Sequence, residues 1–195
     1  MKRCAWAGTD PVYVRYHDSE WGVPVRSDRK LFEFLILEGA QAGLSWITVL
    51  RKRPAYLKAF DNFDFNKVAR YREGKITQLL NNPGIIRNEL KIRSAVRNAR
   101  AFLDVRREFG TFSRYIWGFV ENPPVQNKWR HMKDIPASTA LSDLISKDLK
   151  GRGFSFVGST IVYAHMQATG MVNDHVVSCF RHAEIQALSG MRVNE

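Results

Sequence analysis

Two cysteines and two histidines could form a metal site that joins the ends of this 195-residue chain. Cys4 and His17 are separated by twelve residues near the N-terminus, and His175 stands four positions before Cys179 near the C-terminus. Structural zinc sites are closed and take four nitrogen or sulfur ligands, commonly two Cys and two His. A helix over this segment would project His175 and Cys179 from one face. The sequence therefore predicts one structural Zn²⁺ per chain that ties the termini together.

Coincidence and a disulfide are the alternatives to a zinc site. A His and a Cys four residues apart are usually incidental, although a second Cys and His pair in the same chain makes coincidence less common. A disulfide between Cys4 and Cys179 would need an oxidising compartment. The N-terminal MKRCAWAGTD has no apolar signal-peptide core, and no apolar run reaches the roughly 18 residues that span a bilayer. We therefore expect a cytoplasmic protein that has no contact with a membrane and no structural disulfide.

Glu38 is the one acid in the otherwise apolar stretch LILEGAQAGLSW. Trp46 closes this stretch, and Tyr16 lies beside the candidate ligand His17. A carboxylate next to aromatic faces suits a flat, cationic ligand, because stacking and cation–π attraction act together with charge. The alternative is that Glu38 lies on the exposed polar face of its helix, which is the commoner arrangement in an arbitrary protein.

Charge and a glycine-rich segment indicate a nucleic-acid partner. Lys and Arg total 30 against 19 Asp and Glu, and the net charge of +11 favours a polyanion. In LKGRGFSFVGSTIVYAHMQ, glycines stand between two predicted helices, where a helix N-terminus can offer N–H groups to a phosphate. Glycine between helices is most often only a cap. With the basic composition, we interpret residues 139–169 as a helix-hairpin-helix, with DNA contacts from Lys147, Lys150, Arg152, Gly158 and Ser159.

Periodicity and capping residues predict an all-α protein. Strand alternation is scarce, and no βαβ rhythm is present. We expect an irregular segment over 1–25, the longest helix within 85–110, a loop over 121–138 and a last helix over 172–188. Helix caps or breaks are expected at Ser27 or Asp28, Pro54, Asp64, Gly110 and Ser138 or Thr139.

Four long motifs are CAWAGTDPVYVRYHDSEWGVP, LFEFLILEGAQAGLSWITVLRKR, GIIRNELKI and RGFSFVGSTIVYAHMQATGMVNDH. Together with the late Cys179, they resemble the bacterial 3-methyladenine DNA glycosylase I family from Cys4 to His182. The resemblance implies a helix-hairpin-helix DNA glycosylase fold with a zinc site joining the termini. It implies one unit over residues 1–195, with the base pocket between two helical lobes. The substrate would be double-stranded DNA with alkylated adenine in the bacterial cytoplasm, and we expect a monomer without an obligate protein partner.

The resemblance also assigns roles to residues. The four Cys and His residues above would bind the zinc. The loop AQAGLSW would reach into the DNA gap left by an extruded nucleotide, with Gly43 and Leu44 at its tip. The base pocket would be formed by Glu38, Tyr16, Trp46, Trp6, Tyr13 and Trp21.

The implied reaction hydrolyses the N-glycosidic bond of 3-methyladenine in base excision repair. The methylated base carries a positive charge that its departure neutralises, so strong general-acid help is unnecessary. The extruded base would stack between Tyr16 and Trp46, with Glu38 accepting a hydrogen bond from its exocyclic amine. Water then attacks the sugar, and the products are free 3-methyladenine and an abasic site.

We expect a monofunctional enzyme without lyase activity. Ser159 and Thr160 follow the hairpin glycine, and neither is the Lys nucleophile that some helix-hairpin-helix glycosylases use. Asp174 falls near the position of an Asp that supports the sugar cation in many of these enzymes. A structural role is favoured instead, either as the cap of the last helix or as a partner that orients His175.

Two further functions are compatible with the sequence. A zinc-stabilised, non-enzymatic DNA-binding module would explain the charge and the hairpin. A glycosylase for a different lesion, such as 7-methylguanine, would share the same motifs. Release of free base from methylated DNA separates these possibilities.

Overall fold

A computed structural model describes residues 1–120 and 124–190. Helices dominate these residues, as the sequence predicts. Three 3₁₀ turns, at Ala5–Ala7, Asp61–Phe63 and Met132–Asp134, and two parallel strands, β1 (Val125–Gln126) and β2 (Val172–Asn173), accompany them. The α-helices are α1 (Pro11–Ser19), α2 (Asp28–Gln41), α3 (Trp46–Ala59), α4 (Phe65–Val68), α5 (Glu73–Leu80), α6 (Glu89–Phe109), α7 (Phe112–Trp117), α8 (Ala140–Gly151), α9 (Ser159–Ala168) and α10 (Phe180–Gly190).

Most predicted helix ends are confirmed, because caps are local signals. Asp64 accepts bonds from the first N–H groups of α4, Gly110 ends α6, and Thr139 caps α8. Pro54 is neither the start nor the end of a helix, since α3 begins at Trp46 and passes through it. None of the helices in the described ranges is long and apolar enough to cross a bilayer.

The prediction of an irregular N-terminal segment is wrong for residues 11–19, which form α1. Asp10 Oδ1 accepts bonds from the backbone N–H groups of Val12 (2.9 Å) and Tyr13 (3.3 Å), and Pro11 occupies the first helical position. A proline at this position and an acidic cap start a helix rather than prevent one. Tyr13, Tyr16 and His17 therefore lie on one helix.

The prediction of a helix over 172–188 is wrong at its N-terminal half. Residues 172–173 form β2 instead, and α10 begins only at Phe180. The backbone here pairs with the segment around β1, since Asn127 N donates to Asn173 O at 3.3 Å. His175 and Cys179 thus lie in a turn and not on a helix face. The predicted loop over 121–138 contains β1 and a 3₁₀ turn, and its residues 121–123 lie outside the described part.

Helix α2 is the centre of the fold. Every residue from position 31 to 40 is buried, and the helix contacts α3, α6, α7 and α9. At its first turn, Asp28 accepts bonds from Arg106 Nε (2.7 Å) and from the backbone N–H groups of Phe112 (3.1 Å) and Ser113 (2.8 Å). This carboxylate joins α2, α6 and α7, so the helix that carries Glu38 is fixed at its N-terminus.

Helices α8 and α9 form a helical hairpin, because they pack against each other and are joined by residues 152–158. Ser146 Oγ donates to Val157 O at 2.7 Å across the turn. Ser155 is held to α6, because its N–H and C=O both bond the side-chain amide of Asn98. A Cβ at Gly39 would lie 3.4 Å from Phe156 Cβ, so the hairpin turn packs against α2 one residue after Glu38.

A glycine after α9 allows the N-terminal segment to cross this helix closely. Gly170 has a φ of +71°, and a Cβ there would lie 2.5 Å from Pro24 N and from the carbonyl carbon of Val23. Gly22 N donates to Gln167 O (3.1 Å), and Val25 N donates to Thr169 O (2.9 Å). Residues 22–25 are therefore bound to the end of α9.

We expect Gly170→Ala to lower the free energy of unfolding by about 2–5 kcal/mol, because it adds a strained φ and an overlap with rigid backbone. Urea unfolding measures this change. Gly74→Ala is the control, since its Cβ meets nothing within 4 Å in α5 and a helical Ala gains about 0.5–1 kcal/mol over Gly. Equal stability of the two variants would contradict a tight crossing.

Candidate functional site

Cys4, His17, His175 and Cys179 converge in the fold, and one ligand atom from each lies within 4.8 Å of every other. All four residues are buried. Cys179 Sγ is 3.4 Å from His17 Nε2 and 3.6 Å from His175 Nδ1, and Cys4 Sγ is 3.6 Å from His175 Nδ1. Ligands about 2.0–2.3 Å from a tetrahedral ion are themselves roughly 3.6 Å apart. The cluster could therefore hold a metal ion.

Each histidine ring is oriented through its other nitrogen. His17 Nδ1 lies 2.7 Å from Asp18 Oδ1, and Asp18 is bound in turn by Arg3. His175 Nε2 lies 3.0 Å from the carbonyl oxygen of Trp21. Both contacts require the ring N–H to donate, so the nitrogen of each neutral ring that faces the cysteines is an acceptor. His17 Nε2 accepts a bond from the backbone N–H of Cys4 at 3.3 Å. Such outer contacts are typical of metal sites.

The two thiols differ in acidity. The Cys4 thiol, followed by His17 and His175, lowers the pKa of Cys179, whereas the contact with Cys179 and burial raise the pKa of Cys4. The neighbouring groups alone therefore favour a thiolate at Cys179 and a thiol at Cys4. A divalent cation would favour both thiolates, because metal binding and deprotonation are linked.

Aromatic rings extend from this cluster to Trp46 on α3. Trp21 contacts the ring of His175 (4.5 Å between centroids), and Trp6 contacts Trp21 at 5.1 Å. Trp6 also lies 5.1 Å from Tyr13 and 6.2 Å from Tyr16, and Tyr16 lies 5.6 Å from Trp46. The fold therefore gathers all five predicted aromatic residues into one continuous group.

Glu38 is buried without compensation. Its side chain is only 4% exposed, and among the described residues it has no hydrogen bond or ion pair. Burial raises its pKa to about 8. Burial and then the charge of Glu38 raise the pKa values of Tyr16 and Tyr13. Among the described residues, the buried Nε1–H of Trp46 also has no acceptor in hydrogen-bond geometry, although its proximity opposes the rise in the pKa of Tyr16. A carboxyl group and an indole N–H thus lack partners beside the same aromatic group, which is the pattern of a ligand site.

An ion-pair network behind this group was not found from the sequence. Arg53 on α3 donates to both carboxylate oxygens of Glu20 (3.1 and 2.8 Å) and to Glu33 on α2 at 2.6 Å. It therefore links the end of α1 with α2 and α3, the helices that carry Tyr16, Glu38 and Trp46. Glu20 and Glu33 precede Arg53 by 33 and 20 residues, and no spacing rule connects such positions.

The residues predicted to contact DNA differ in their surroundings. Leu44 is 43% exposed beside Gly43, whose φ is +77°. Lys147 and Lys150 are exposed on α8. Gly158 precedes α9, whose first residue, Ser159, shares a 2.7 Å hydrogen bond with Ser142. Arg152, by contrast, is already engaged within the protein. It bonds Glu108 and Asp148 and lies over the rings of Phe109 and Tyr115.

Asp174 is buried, and the expectation that it caps the last helix is wrong, because α10 begins six residues later. No hydrogen bond joins its side chain to His175 in the described structure either. Its two oxygens instead accept bonds of 2.7 Å each from four side chains of the β1 region and α9. The donors are Asn127, Trp129, Tyr163 and Gln167.

The methyladenine glycosylase family matches residues 6–182, and the chain belongs to this family. It is 50% identical over 179 residues to DNA-3-methyladenine glycosylase 1 of Escherichia coli, over 92% of this chain and 96% of that protein. It is 45% identical over 177 residues to DNA-3-methyladenine glycosylase of Haemophilus influenzae, over 91% and 96%.

A solved structure shows the same fold. The chain matches 3-methyladenine DNA glycosylase I from Staphylococcus aureus with a TM-score of 0.89 and 36% identity, over 92% of this chain and 96% of that one. That structure concerns the recognition of 3-methyladenine by the Staphylococcus aureus protein. The resemblance inferred from the motifs is confirmed, and the chain is a glycosylase-family protein with a mostly helical fold.

Glu38→Gln should change how stability depends on pH. In the folded protein Glu38 keeps its proton to about pH 8, whereas an unfolded Glu ionises near pH 4.3. The contribution of Glu38 to the free energy of unfolding is fully present below about pH 4.3. It is lost as pH rises towards the folded pKa, by up to about 1.4 kcal/mol per pH unit. The variant lacks this loss, so its stability relative to wild type should increase from pH 5 to pH 8.

Urea unfolding at several pH values tests this expectation. The Cys and His cluster is the same in both proteins, so its effect cancels in the difference. Glu89→Gln is the control, because Glu89 is an exposed carboxylate paired with Arg93. A constant difference between Glu38→Gln and wild type would show that Glu38 is ionised in the folded protein at low pH.

Proposed function

We propose that this protein is a monofunctional DNA glycosylase that excises 3-methyladenine from double-stranded DNA and leaves an abasic site for base excision repair. The observation that carries the proposal is the uncompensated burial of Glu38, whose charge acts on Tyr13 and Tyr16 of the aromatic group. The names of the relatives support the same substrate.

Charge complementarity provides the selectivity. A 3-methyladenine base in DNA is cationic, and a cation next to Glu38 favours the ionised carboxylate. The carboxylate then accepts a hydrogen bond from the exocyclic amine, while Tyr16 and Trp46 stack on the ring. Neutral adenine provides no such charge, so it would leave Glu38 either protonated or unpaired. Departure of the base is already favourable once it is extruded, and water attacks the sugar.

The metal proposed for the cluster is Zn²⁺ in a structural role. Two thiolates and two imidazoles fit zinc, and four protein ligands leave no position for a reactive water. The ion would hold residue 4 against residue 179 and so keep α1, with Tyr16 beside His17, against the aromatic group. Trp6, Tyr13 and Trp21 complete the proposed pocket from this side.

We propose that DNA is bound by the hairpin and by the loop after α2. The hairpin would act as a helix-hairpin-helix, with the N-terminus of α9 at Gly158 and Ser159 facing a phosphate, and Lys147 and Lys150 adding charge. Leu44 and Gly43 would enter the gap left by the extruded nucleotide. Arg152 would support the hairpin through Glu108 and Asp148 rather than contact phosphate.

We further propose that residues 1–195 form one monomeric unit with the pocket between two helical lobes, acting in the bacterial cytoplasm. Lyase activity is not expected, because no Lys follows Gly158 at the hairpin. Asp174 is proposed as a structural carboxylate, since four donors occupy its oxygens.

The test is release of free base from methylated duplex DNA, followed by chromatography, with borohydride trapping to detect any lyase intermediate. We expect free 3-methyladenine, an abasic strand and no trapped adduct. No base above a buffer control, from folded and zinc-loaded protein, would favour a non-enzymatic DNA-binding module. Equal release of 7-methylguanine would indicate a broader lesion range.

Glu38→Gln should weaken binding of free 3-methyladenine by roughly 10- to 100-fold, because a charge-assisted hydrogen bond contributes about 1.5–3 kcal/mol. Titration calorimetry measures the affinity, and Tm at pH 7 serves as the control for folding. A fall in Tm of several degrees would instead assign Glu38 a structural role.

Cys179→Ser should remove the metal and lower Tm together, because metal binding energy is folding energy at such sites. Elemental analysis is expected to find one zinc per wild-type chain and much less in the variant. Ser178→Ala is the matched neighbour and should keep both zinc and Tm. Unchanged zinc in Cys179→Ser would exclude Cys179 as a ligand.

A further inference from the structure

Lys91 on α6 reaches the end of α2, about fifty residues earlier in the chain. Its Nζ donates to Ala40 O at 2.9 Å and to Ala42 O at 2.6 Å. Ala40 belongs to the last turn of α2, and Ala42 is the first residue after the helix. One ammonium group therefore joins the helix to the first residue of the loop 42–45.

This contact replaces a cap that α2 lacks. The last turn of α2 contains no basic residue of its own, and its terminal carbonyls carry partial negative charge. Ala42 has a ψ of 118°, so the chain leaves the helical path at this residue. The position of the ammonium group fixes the direction in which it leaves.

The rest of the loop has few supports. Leu44 N donates to Gln41 O at 2.6 Å, and Ser45 Oγ bonds Thr48 Oγ1 at 2.8 Å. A Cβ at Gly43 would meet nothing within 4 Å, and Leu44 is 43% exposed. The loop is thus fixed at its base, while its tip is open to a ligand.

We propose that Lys91 is a positioning residue for base excision, because it fixes the loop 42–45 relative to Glu38 and so directs Leu44 into the gap of the duplex. The inference rests on the proposed function. Glu38 and Leu44 are six residues apart, and the carbonyls that Lys91 binds lie between them in the chain. Glu38 must bind the extruded base at the same time as Leu44 enters the gap in the duplex. A misplacement of about 1 Å in such an arrangement can cost about 100-fold in rate.

The experiment compares Lys91→Met with Lys52→Met. Lys52 Nζ also donates to a backbone carbonyl, Pro83 O at 2.9 Å, outside the loop 42–45. Both variants lose one positive charge, so a general loss of DNA affinity through charge affects them equally. Lys91→Met loses two ammonium–carbonyl contacts and Lys52→Met loses one. Single-turnover excision from duplex DNA, binding of free 3-methyladenine and Tm are measured for each.

We expect excision by Lys91→Met to fall about 10-fold or more below that of Lys52→Met. Binding of the free base should stay within about twofold, because the pocket itself is unchanged. Leu44→Ala should reduce the rate of excision as well. Adding Lys91→Met to Leu44→Ala should lower the rate much less than adding it to wild type, because both changes disrupt insertion of the loop tip into the duplex. If Lys91→Met does not fold, Lys91→Gln takes its place.

Three results would overturn the inference. Equal excision by Lys91→Met and Lys52→Met would show that the contact does not direct the loop. A parallel loss of free-base binding would place the effect in the pocket, and fully additive losses with Leu44→Ala would separate Lys91 from the loop tip. Wild-type protein that releases no base would instead overturn the proposed function, and this inference with it.

Discussion

The burial of Glu38 without a partner is the feature that the surrounding structure must support. A carboxylate in an apolar, aromatic environment is costly, and here its pKa is raised to about 8. Only a rigid scaffold keeps such a group from turning to solvent. Helix α2 provides it, since the helix is buried from position 31 to 40 and fixed at its first turn by Asp28. A cationic ligand would offset part of this cost, which is the physical basis of the proposed selectivity.

The two ends of the chain support this arrangement from one side. The Cys and His cluster brings residue 4 next to residue 179, and Trp21 contacts both the cluster and Trp6. The N-terminal segment is bound again at Gly170, where it crosses the end of α9. The aromatic group therefore depends on long-range closure of the chain more than on the stability of α1. Arg53 adds a partly buried connection among α1, α2 and α3.

Three consecutive residues of α2 serve three parts of the molecule. The charge of Glu38 acts on Tyr13 and Tyr16, Gly39 allows close packing of Phe156 from the hairpin turn, and Ala40 accepts the bond from Lys91. Glu38, the contact with the hairpin and the start of the loop 42–45 thus share one short piece of the backbone of α2.

The helical class, most helix ends and the members of the Cys and His cluster followed from the sequence alone, because caps, periodicity and ligand chemistry are properties of residue types and short spacings. Asp64, Gly110 and Thr139 mark helix ends wherever the chain lies. The turn that carries His175, the four donors around Asp174 and the reach of Lys91 to Ala42 became evident only in the folded chain. These depend on packing between distant segments, where the hydrogen-bond partner is set by proximity in space rather than in sequence.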